Sequence, residues 1–449
     1  MQAQVTPLDG SKAIGITFTD KPVTAFGGLA LFVAFAERIG LATKLAEALP
    51  FVLTSPNATP SHHIVLAFLA GVLAGARRFA QLAVLQADVP VRQLFGLHRF
   101  PSTATFTRFF RRFTPKTITE TFEPLWTWCF DRLPVRSTGY TLDLDSSVFE
   151  RYGTQEGALK GYNPRKRGRP SHHPLFAVLA EARCIAHVWL RSGNTASARG
   201  ATAFLAEALA LLAGRVRGTL VRADSGFFDE AILAALEAAA LPYAIVARFT
   251  SLLQAGVYGL PFRPFAPGLE VAELRFQAKR WARARRIVVV REEVAVRPDA
   301  RGRALLQVPG YRFHAVVTTL TSPPEEVWRT YHGRADIENR IKELKYAFGA
   351  DGFCSRRFAG TEAALRFICL LYNLVGEFQR SLGSRTVRTL ATLRTTLFAC
   401  GAILGADGRQ PLLRLSRATP WRATFLAYLH RLLPSAANCN AVPAREVNV

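Results

Sequence analysis

A succession of apolar runs after Gly139 limits the folds that this chain can adopt more than any other feature. Three strand-like runs, "GYTLDLDSSVF", "LFAVLAEA" and "CIAHVWLRSG", precede the helical pattern "ASARGATAFLAEALALLAG". Then come the strand-like "GTLVRADSGF", the helical "DEAILAALEAAA" and the strand-like "PYAIVARF". These residue types in runs of this length predict the order β-β-β-α-β-α-β, which is typical of an α/β fold.

Two aspartates lie where predicted strands of this segment end. Asp145 follows the apolar start of "LDLDSSV", and Asp224 follows that of "VRADSGF". If the first and fourth strands are neighbours, the two carboxylates lie side by side, where their repulsion is costly unless a cation lies between them. A divalent metal meets that requirement. Two structural alternatives stay open: Asp143 or Asp145 as a turn residue, and Asp224 or Ser225 as a helix cap.

The segment 331–348, "YHGRADIENRIKELKYAF", predicts an amphipathic helix with a specific polar face. At about 100° per residue, one narrow face carries Tyr331, Arg334, Glu338, Lys342 and Lys345. An apolar stripe beside that face would hold it at the edge of a core: Ile337, Ile341, Leu344 and Phe348. The structural alternative is an ordinary i,i+4 ion pair between Glu338 and Lys342. Gly333 disfavours an uninterrupted helix.

The charge balance indicates a polyanionic partner. The 449 residues include 57 Lys plus Arg and 33 Asp plus Glu, a formal net charge of +24. Nucleic acid is the leading candidate, and a generic basic protein or a membrane-surface binder is the alternative.

Neither a membrane span nor a secretory signal is predicted. The longest uncharged apolar run, residues 64–76, is shorter than the roughly 20 residues that a spanning helix needs, so a buried helix is expected there. The N-terminus lacks the charged start and apolar stretch of a signal peptide, so an intracellular location is expected. The six cysteines contain no C-x-x-C pair and support neither a zinc knuckle nor a disulfide framework.

Four regions are predicted along the chain. Residues 1–135 are expected to form a helical DNA-binding region, and residues 136–248 with 311–385 an α/β core. Residues 249–310 break the α/β rhythm with prolines, glycines and the strand-like "RRIVVVREEVAV", which predicts a β-rich insertion. Residues 386–449 are expected to form a helical C-terminal region.

Two basic stretches are candidates for DNA contact. In "FPSTATFTRFFRRF", Ser102 or Thr103 can cap a helix that carries Arg108, Arg111 and Arg112. The alternative is a helix whose arginines only surround a core. The stretch "KGYNPRKRGRPSHH" contains "RGRP", which is similar to the centre of a minor-groove AT-hook, and general phosphate contact is the broader interpretation. Its basic candidates are Arg165, Lys166, Arg167 and Arg169.

The spacing Y-x-x-R-x-x-x-E-x-x-x-x-x-x-K, from Tyr331 to Lys345, resembles the signature of bacterial insertion-sequence DDE transposases. Other motifs are similar to the group 1 branch of that family: "LDLDSS", "YGTQEGALKGYNP", "HPL", "RSGNTAS", "RADSGF" and "YNLV". The resemblance covers most of residues 60–430. It implies a ribonuclease H-like (integrase-like) catalytic core with a β-rich insertion, flanked by helical N- and C-terminal regions.

The resemblance also implies a catalytic set. Asp145, Asp224 and Glu338 match the DDE triad, with Asp143 as the fallback for its first member. These carboxylates would bind two Mg²⁺ ions, for which Mn²⁺ can substitute, in a two-metal phosphoryl transfer on DNA.

Further residues match positions that contact DNA. Tyr331, Arg334 and Lys345 match positions near the phosphates of the transposon end, and Lys342 shares their helix face. Trp281 matches a tryptophan that stacks on a displaced base in related transposases. Packing of Trp281 inside the β-rich insertion is the alternative.

The function that the resemblance implies is cut-and-paste transposition, with cleavage at insertion-sequence ends and strand transfer into target DNA. The expected partners are double-stranded DNA, as terminal inverted repeats and target, and a second subunit in a homodimer on DNA; no membrane is expected. The expected location is the bacterial cytoplasm, at the nucleoid. The alternative function is a catalytically inactive DNA-binding protein that represses its element.

Overall fold

Helices dominate the first part of the chain because apolar residues recur there at helical spacing. The computed structural model describes residues 3–52, 55, 57–163, 166–196, 198–293, 310–384 and 386–433. Residues 64–73 lie in a buried helix, as the sequence predicts. The elements are β1 (Ala3–Val5), β2 (Ile14–Ile16), β3 (Val23–Thr24), α1 (Leu29–Arg38), α2 (Leu41–Ala48), α3 (Ser61–Leu73), α4 (Val89–Leu94), α5 (Thr103–Arg111) and α6 (Pro115–Phe130).

The middle of the chain alternates strands and helices. Between Tyr140 and Val246 the large strands and helices follow the predicted order, with three short strands added after the first strand. The elements are β4 (Tyr140–Ser146), β5 (Phe149–Glu150), β6 (Leu159–Lys160), β7 (Pro170–His172), β8 (Leu175–Leu179), β9 (Cys184–Trp189), α7 (Ala201–Leu212), β10 (Gly218–Ala223), α8 (Glu230–Ala238) and β11 (Tyr243–Val246).

The rest of the described chain completes the sheet and then returns to helices. The elements are α9 (Ser251–Val257), β12 (Arg263–Ala266), β13 (Leu269–Phe276), β14 (Arg285–Glu293), β15 (Tyr311–Thr318), α10 (Pro324–His332), α11 (Ala335–Tyr346), α12 (Phe358–Ser381), α13 (Leu390–Leu393), β16 (Ala402–Asp407), β17 (Gln410–Leu415) and α14 (Arg422–Leu432).

One large sheet organises this mixed α/β fold. In the described residues it has nine strands in the order β12-β13-β14-β15-β11-β10-β4-β8-β9. Strand β10 pairs in parallel with β4 and β11, whereas β4, β8 and β9 are antiparallel to one another. The predicted first and fourth strands are therefore neighbours, which is the condition for Asp145 and Asp224 to lie side by side.

The strands predicted as a β-rich insertion extend this sheet. Strand β14 pairs with β15 over eight residue positions, from Arg286↔Thr318 to Glu293↔Tyr311. Backbone hydrogen bonds thus join β12, β13 and β14 to the predicted core. The segment 294–309 lies outside the described residues. The division into four domains stays a prediction.

A long helix connects the N-terminal helices to the sheet. Phe122 of α6 meets Phe367 of α12 with ring centroids 4.7 Å apart, and Ile185 of β9 hydrogen-bonds Asn373 of α12. Among the described residues, α12 alone is long and apolar enough to cross a membrane by length and composition. Most of its apolar window is buried inside the protein, as in the core helix of many folded domains.

The C-terminal region contains strands where helices were predicted. Strands β16 and β17 form a hairpin, and β3 pairs with the other edge of β16. Gly408 has φ of +58° at the two-residue turn, a left-handed conformation that glycine adopts without strain. The prediction of a wholly helical region after residue 386 is therefore wrong for residues 402–415.

Candidate active site

The sheet brings two of the predicted acids together. Strands β4 and β10 are parallel neighbours, with Leu144 opposite Ala223, so the next residues, Asp145 and Asp224, lie beside each other. Asp224 also accepts a hydrogen bond of 2.8 Å from the Gly226 amide and so caps a short turn. The cap function and the position beside Asp145 therefore coexist.

The third acid comes from helix α11. The predicted helix is interrupted at Gly333, which separates α10 from α11. A Cβ atom on Gly333 would lie 2.6 Å from Nη1 of Arg222, so a larger residue would displace that guanidinium. After the break, α11 carries Glu338 on its exposed side, where it lines the same cavity as Asp145 and Asp224.

Arg334 connects the acids. Its buried guanidinium lies 3.1 Å (Nη2) from Oδ1 of Asp145 and 3.8 Å (Nη1) from Oε1 of Glu338. Nη2 also approaches the carbonyl oxygen of Leu144 at 3.4 Å. In the described part of the chain, the i,i+4 partner of Glu338 is thus Arg334, one turn before it, and not Lys342, one turn after it. The guanidinium that was predicted to contact phosphate faces the acids here.

The three acids are close enough to influence one another. Burial raises the pKa of Asp145 to about 7 although Arg334 opposes the rise, and the charges of Asp224 and Glu338 add to it. A buried carboxylate with two acidic neighbours and one arginine is the pattern of a functional site as well as of a structural ion pair.

The fallback acid has a structural partner. Asp143 is buried and receives two hydrogen bonds from Arg222, of 2.6 and 2.8 Å. Burial raises the pKa of Asp143 to about 6 although the Arg222 hydrogen bonds lower it. Arg222 in turn donates to the carbonyl oxygen of Thr330 at 2.7 Å. This arrangement disfavours Asp143 as the first member of the triad and favours Asp145.

An open cavity of about 1590 Å³ lies in front of the acids. Small-molecule sites usually occupy about 300–1,000 Å³, so this cavity suits a larger substrate. Besides the three acids, its lining includes Lys342, Lys345 and Lys166 from the predicted basic set. The cavity therefore combines acidic and basic groups.

A family model matches nearly the whole chain. Residues 6–437 match the model of the transposase DDE domain, group 1. The chain belongs to this family. It is thus a DDE transposase by descent, of a class that acts in DNA transposition and recombination and that generally uses divalent metals.

Other comparisons of this transposase are distant. A solved structure of a piggyBac transposase synaptic complex with hairpin DNA resembles it with a TM-score of 0.43 and 11% sequence identity, over 95% of this chain and 86% of that chain. No curated protein matches the sequence.

The remaining residues predicted on the helix face differ in position. Lys342 of the transposase is exposed at the cavity. The Nζ atom of Lys345 donates to the carbonyl oxygen of Val148 at 2.9 Å and lies 5.5 Å from the Phe149 ring centroid. Tyr331 lies half-buried against Trp328, and burial raises its pKa. The helix break thus separates Tyr331 from the two lysines at the cavity.

The other predicted DNA contacts are spread over the transposase. Lys166 lines the cavity, Arg167 and Arg169 are exposed nearby in sequence, and Arg165 lies outside the described residues. Ser102 caps α5 by accepting from the Thr105 amide, as predicted. The arginines of α5 are exposed and do not belong to the described cavity lining: Arg108, Arg111 and Arg112.

Trp281 is buried. Its side chain is 8% exposed and packs edge-on against Phe228 and Phe276, with ring centroids 5.2 and 5.7 Å away. Arg285 lies over its ring at 4.8 Å. The structure therefore favours the packing alternative over base stacking for this residue, because a stacking residue needs an open ring face.

Several residues that line the cavity could not be identified from the sequence. Arg77 and Arg78 reach it from the segment after α3, although nothing in "GARRF" marks them apart from their charge. Tyr152 and Tyr162 stand in the motif "YGTQEGALKGYNP", which indicated the family but assigned them no role. Their exposure is the signal that only the structure supplies.

The ligand atoms of the three acids are of the type that divalent metals such as Mg²⁺ prefer. Asp145, Asp224 and Glu338 offer the hard oxygen donors that Mg²⁺ and Mn²⁺ prefer, and their mutual repulsion is what such an ion relieves. Within the described residues, no three His, Cys, Asp or Glu side chains lie close enough together to hold a metal ion. Because Arg334 already pairs with two of the three acids, a metal would compete with this guanidinium for their oxygens.

Proposed function

We propose that the chain is an active transposase that cuts DNA at the ends of its insertion sequence and transfers the freed strands into target DNA. One observation carries the proposal: residues from three distant parts of the sequence, Asp145, Asp224 and Glu338, line one open cavity with cationic groups at its margin. A repressor without catalysis would need the cations but not three acids that repel one another.

The proposed catalytic core is ribonuclease H-like. Its support is the five-strand part of the sheet, β9-β8-β4-β10-β11, with three antiparallel strands followed by two parallel ones. This order puts the ends of the first and fourth strands side by side, which is where Asp145 and Asp224 are found. Glu338 of α11 lines the same cavity as these two aspartates.

In the proposed mechanism the chain's own residues hold the scissile strand and the acids in place. Asp145, Asp224 and Glu338 would hold two Mg²⁺ ions, which supply activation of the attacking water or 3′ hydroxyl and stabilise the leaving oxygen. Arg334 orients Asp145 through its 3.1 Å contact. Lys342, exposed at the cavity, is placed to neutralise a phosphate of the bound strand.

The test uses DNA that flanks the gene. Sequencing on both sides identifies inverted repeats, and a linear duplex that carries these repeats is then incubated with the full chain and Mg²⁺. We expect nicks or breaks at the repeat ends that EDTA suppresses. Binding of the repeats without any cleavage would favour the repressor function.

The salt dependence of DNA binding should identify Lys342 as a phosphate contact. Lys342→Ala is expected to reduce the slope of log affinity against log salt by about 0.9, the value for one lost phosphate contact on duplex DNA. The measurement is fluorescence anisotropy of the repeat duplex across a salt series. Lys116→Ala is the control, because Lys116 is exposed on α6 and pairs with Glu120 at 3.7 Å. Equal slopes for the unaltered chain, Lys342→Ala and Lys116→Ala would contradict a contact between Lys342 and a DNA phosphate.

We further propose that two subunits pair on DNA. Joining both ends of one element to one target requires two active sites, and a net charge of +24 makes free subunits repel one another. Light scattering is expected to give a monomer mass for the free chain and a two-subunit mass with repeat DNA. A one-subunit complex that still cuts and joins both ends would contradict the pairing.

A further inference from the structure

Exposed tyrosines line the cavity in front of the three acids. Among its described lining residues are three tyrosines, Tyr152, Tyr162 and Tyr346, whose side chains are 67%, 76% and 52% exposed. Exposed aromatic rings of this size usually mark a binding surface, because their burial against a ligand is favourable. Trp281, the stacking candidate from the sequence, is buried, whereas these rings are open.

Two cationic groups and one carboxylate contact the first of these tyrosines. The Tyr152 hydroxyl donates to Oε2 of Glu150 at 2.9 Å, and Glu150 also pairs with Lys166. Lys166 donates from Nζ to the Tyr152 hydroxyl at 2.9 Å, and Arg169 lies 4.7 Å from the centroid of the Tyr152 ring. Most of the ring nevertheless remains exposed. Aromatic rings with cations beside them are the elements with which proteins hold the bases and phosphates of unpaired nucleic acid.

The segment that carries Tyr152 and Tyr162 is fixed. The short strands β5, β7 and β6 form a sheet of their own at its two ends. Buried Arg151 donates from Nε to Nδ1 of His172 at 2.9 Å, and Nε2 of that ring lies 2.9 Å from the carbonyl oxygen of Glu156. This pair of contacts assigns the proton to Nε2, and burial together with Arg151 lowers the pKa of His172 to about 4.

Close backbone contacts add to this rigidity. A Cβ atom on Gly161 would lie 1.9 Å from the carbonyl oxygen of Gly193, so the chain just before Tyr162 is pressed against its neighbour. The two tyrosines are therefore exposed side chains on a fixed support. Binding of a ligand that stacks on them has a small entropy cost for ordering the protein, because the support is already in place.

We propose that Tyr152 and Tyr162 form a stacking platform for unpaired nucleobases of the DNA strand that enters the cavity in front of the three acids. In a paired duplex the faces of each base are covered by its neighbours, so only an unpaired or displaced base can stack on a side chain. The platform rests on the proposed function, since it binds the same DNA substrate beside the same acids.

The test compares two labelled duplexes that have the same sequence at both ends. One is fully paired, and the other has a central run of unpaired thymines. Fluorescence anisotropy of each labelled duplex is measured as the full chain is added without divalent metal. The full chain is expected to bind the probe with unpaired thymines more tightly than the fully paired probe. Replacing both residues, Tyr152→Ala with Tyr162→Ala, should weaken binding to that probe about tenfold, with affinity for the paired duplex unchanged. The variant with Tyr152→Phe and Tyr162→Phe should retain the preference, because it keeps both rings.

Tyr258→Ala is the matched control, since Tyr258 is 62% exposed at the end of α9 and does not belong to the described cavity lining. Equal binding of the two probes by the unaltered chain, or an unchanged preference in the double alanine variant, would overturn the platform while DNA binding stands. Equal losses on both probes would also overturn it. Failure of the unaltered chain to bind either probe would overturn the proposed function together with the platform.

Discussion

Glu338→Gln is expected to abolish Mg²⁺-dependent cleavage of repeat DNA while binding of that DNA stays close to that of the unaltered chain. The substitution keeps the size of the side chain but replaces one carboxylate oxygen by an NH2 donor and removes the charge that a metal ligand needs. Loss of roughly 4 kcal/mol of transition-state stabilisation corresponds to about a thousandfold loss of rate. The measurement is the rate of end cleavage on a sequencing gel, beside anisotropy for binding.

Glu326→Gln provides the matched control for this experiment. Glu326 is an exposed glutamate on α10 and is outside the described cavity lining, so the same loss of one charge should leave cleavage unaltered. Cleavage by Glu338→Gln at the unaltered rate would reject Glu338 as a metal ligand. Parallel loss of cleavage and DNA binding would instead indicate that the Glu338 carboxylate maintains the structure of the DNA-binding surface.

Much of the core could be predicted because its signals are local and strong. Apolar runs with turn residues between them indicated the long strands and helices from Tyr140 to Val246, though not the short strands β5, β6 and β7. The parallel pairing of β4 with β10 then placed Asp145 beside Asp224. Glu338 needed a different signal, since nothing in local periodicity links residue 338 to residue 145. The family spacing supplied that link.

Other features could not be predicted because they depend on interactions between distant residues. Strand β14 resembles any apolar strand in sequence, and only its pairing with β15 shows that the predicted insertion extends the main sheet. Trp281 has a basic sequence neighbourhood, but Phe228 from a distant segment helps to bury it. The C-terminal hairpin is different, because Gly408 is the first residue of the two-residue loop between Asp407 and Gln410, and glycine at that position is a local signal of a tight hairpin.

The position of Arg334 also escaped prediction and leads to the second large effect. The sequence placed it on the helix face with Glu338, and the family resemblance implied a phosphate contact. In the structure it is the capping residue of α11, and the break at Gly333 directs it toward Asp145. The cation thus takes part in charge compensation within the acid cluster, which is a role that only the tertiary arrangement defines.

Arg334→Gln is expected to destabilise the chain by about 3 kcal/mol in the absence of divalent metal, because removal of one partner leaves a buried charge uncompensated. Mg²⁺ should then raise the unfolding temperature of this variant more than that of the unaltered chain. The reason is that the variant lacks the guanidinium that would compete with the ion for Asp145 and Glu338, and a ligand that binds the folded state more tightly stabilises it more. Thermal unfolding with and without Mg²⁺ measures both effects.

Arg340→Gln separates this effect from the loss of any buried arginine on the same helix. Arg340 is also buried on α11, but it pairs with Asp336 and lies outside the described cavity lining. Its substitution should lower stability without increasing the response to Mg²⁺, since no proposed metal ligand loses its partner. If Arg334→Gln and Arg340→Gln respond equally to Mg²⁺, Arg334 does not compete with metal for the acids. A larger response of Arg334→Gln alone would identify the guanidinium as the group that holds these carboxylates together until the metal binds.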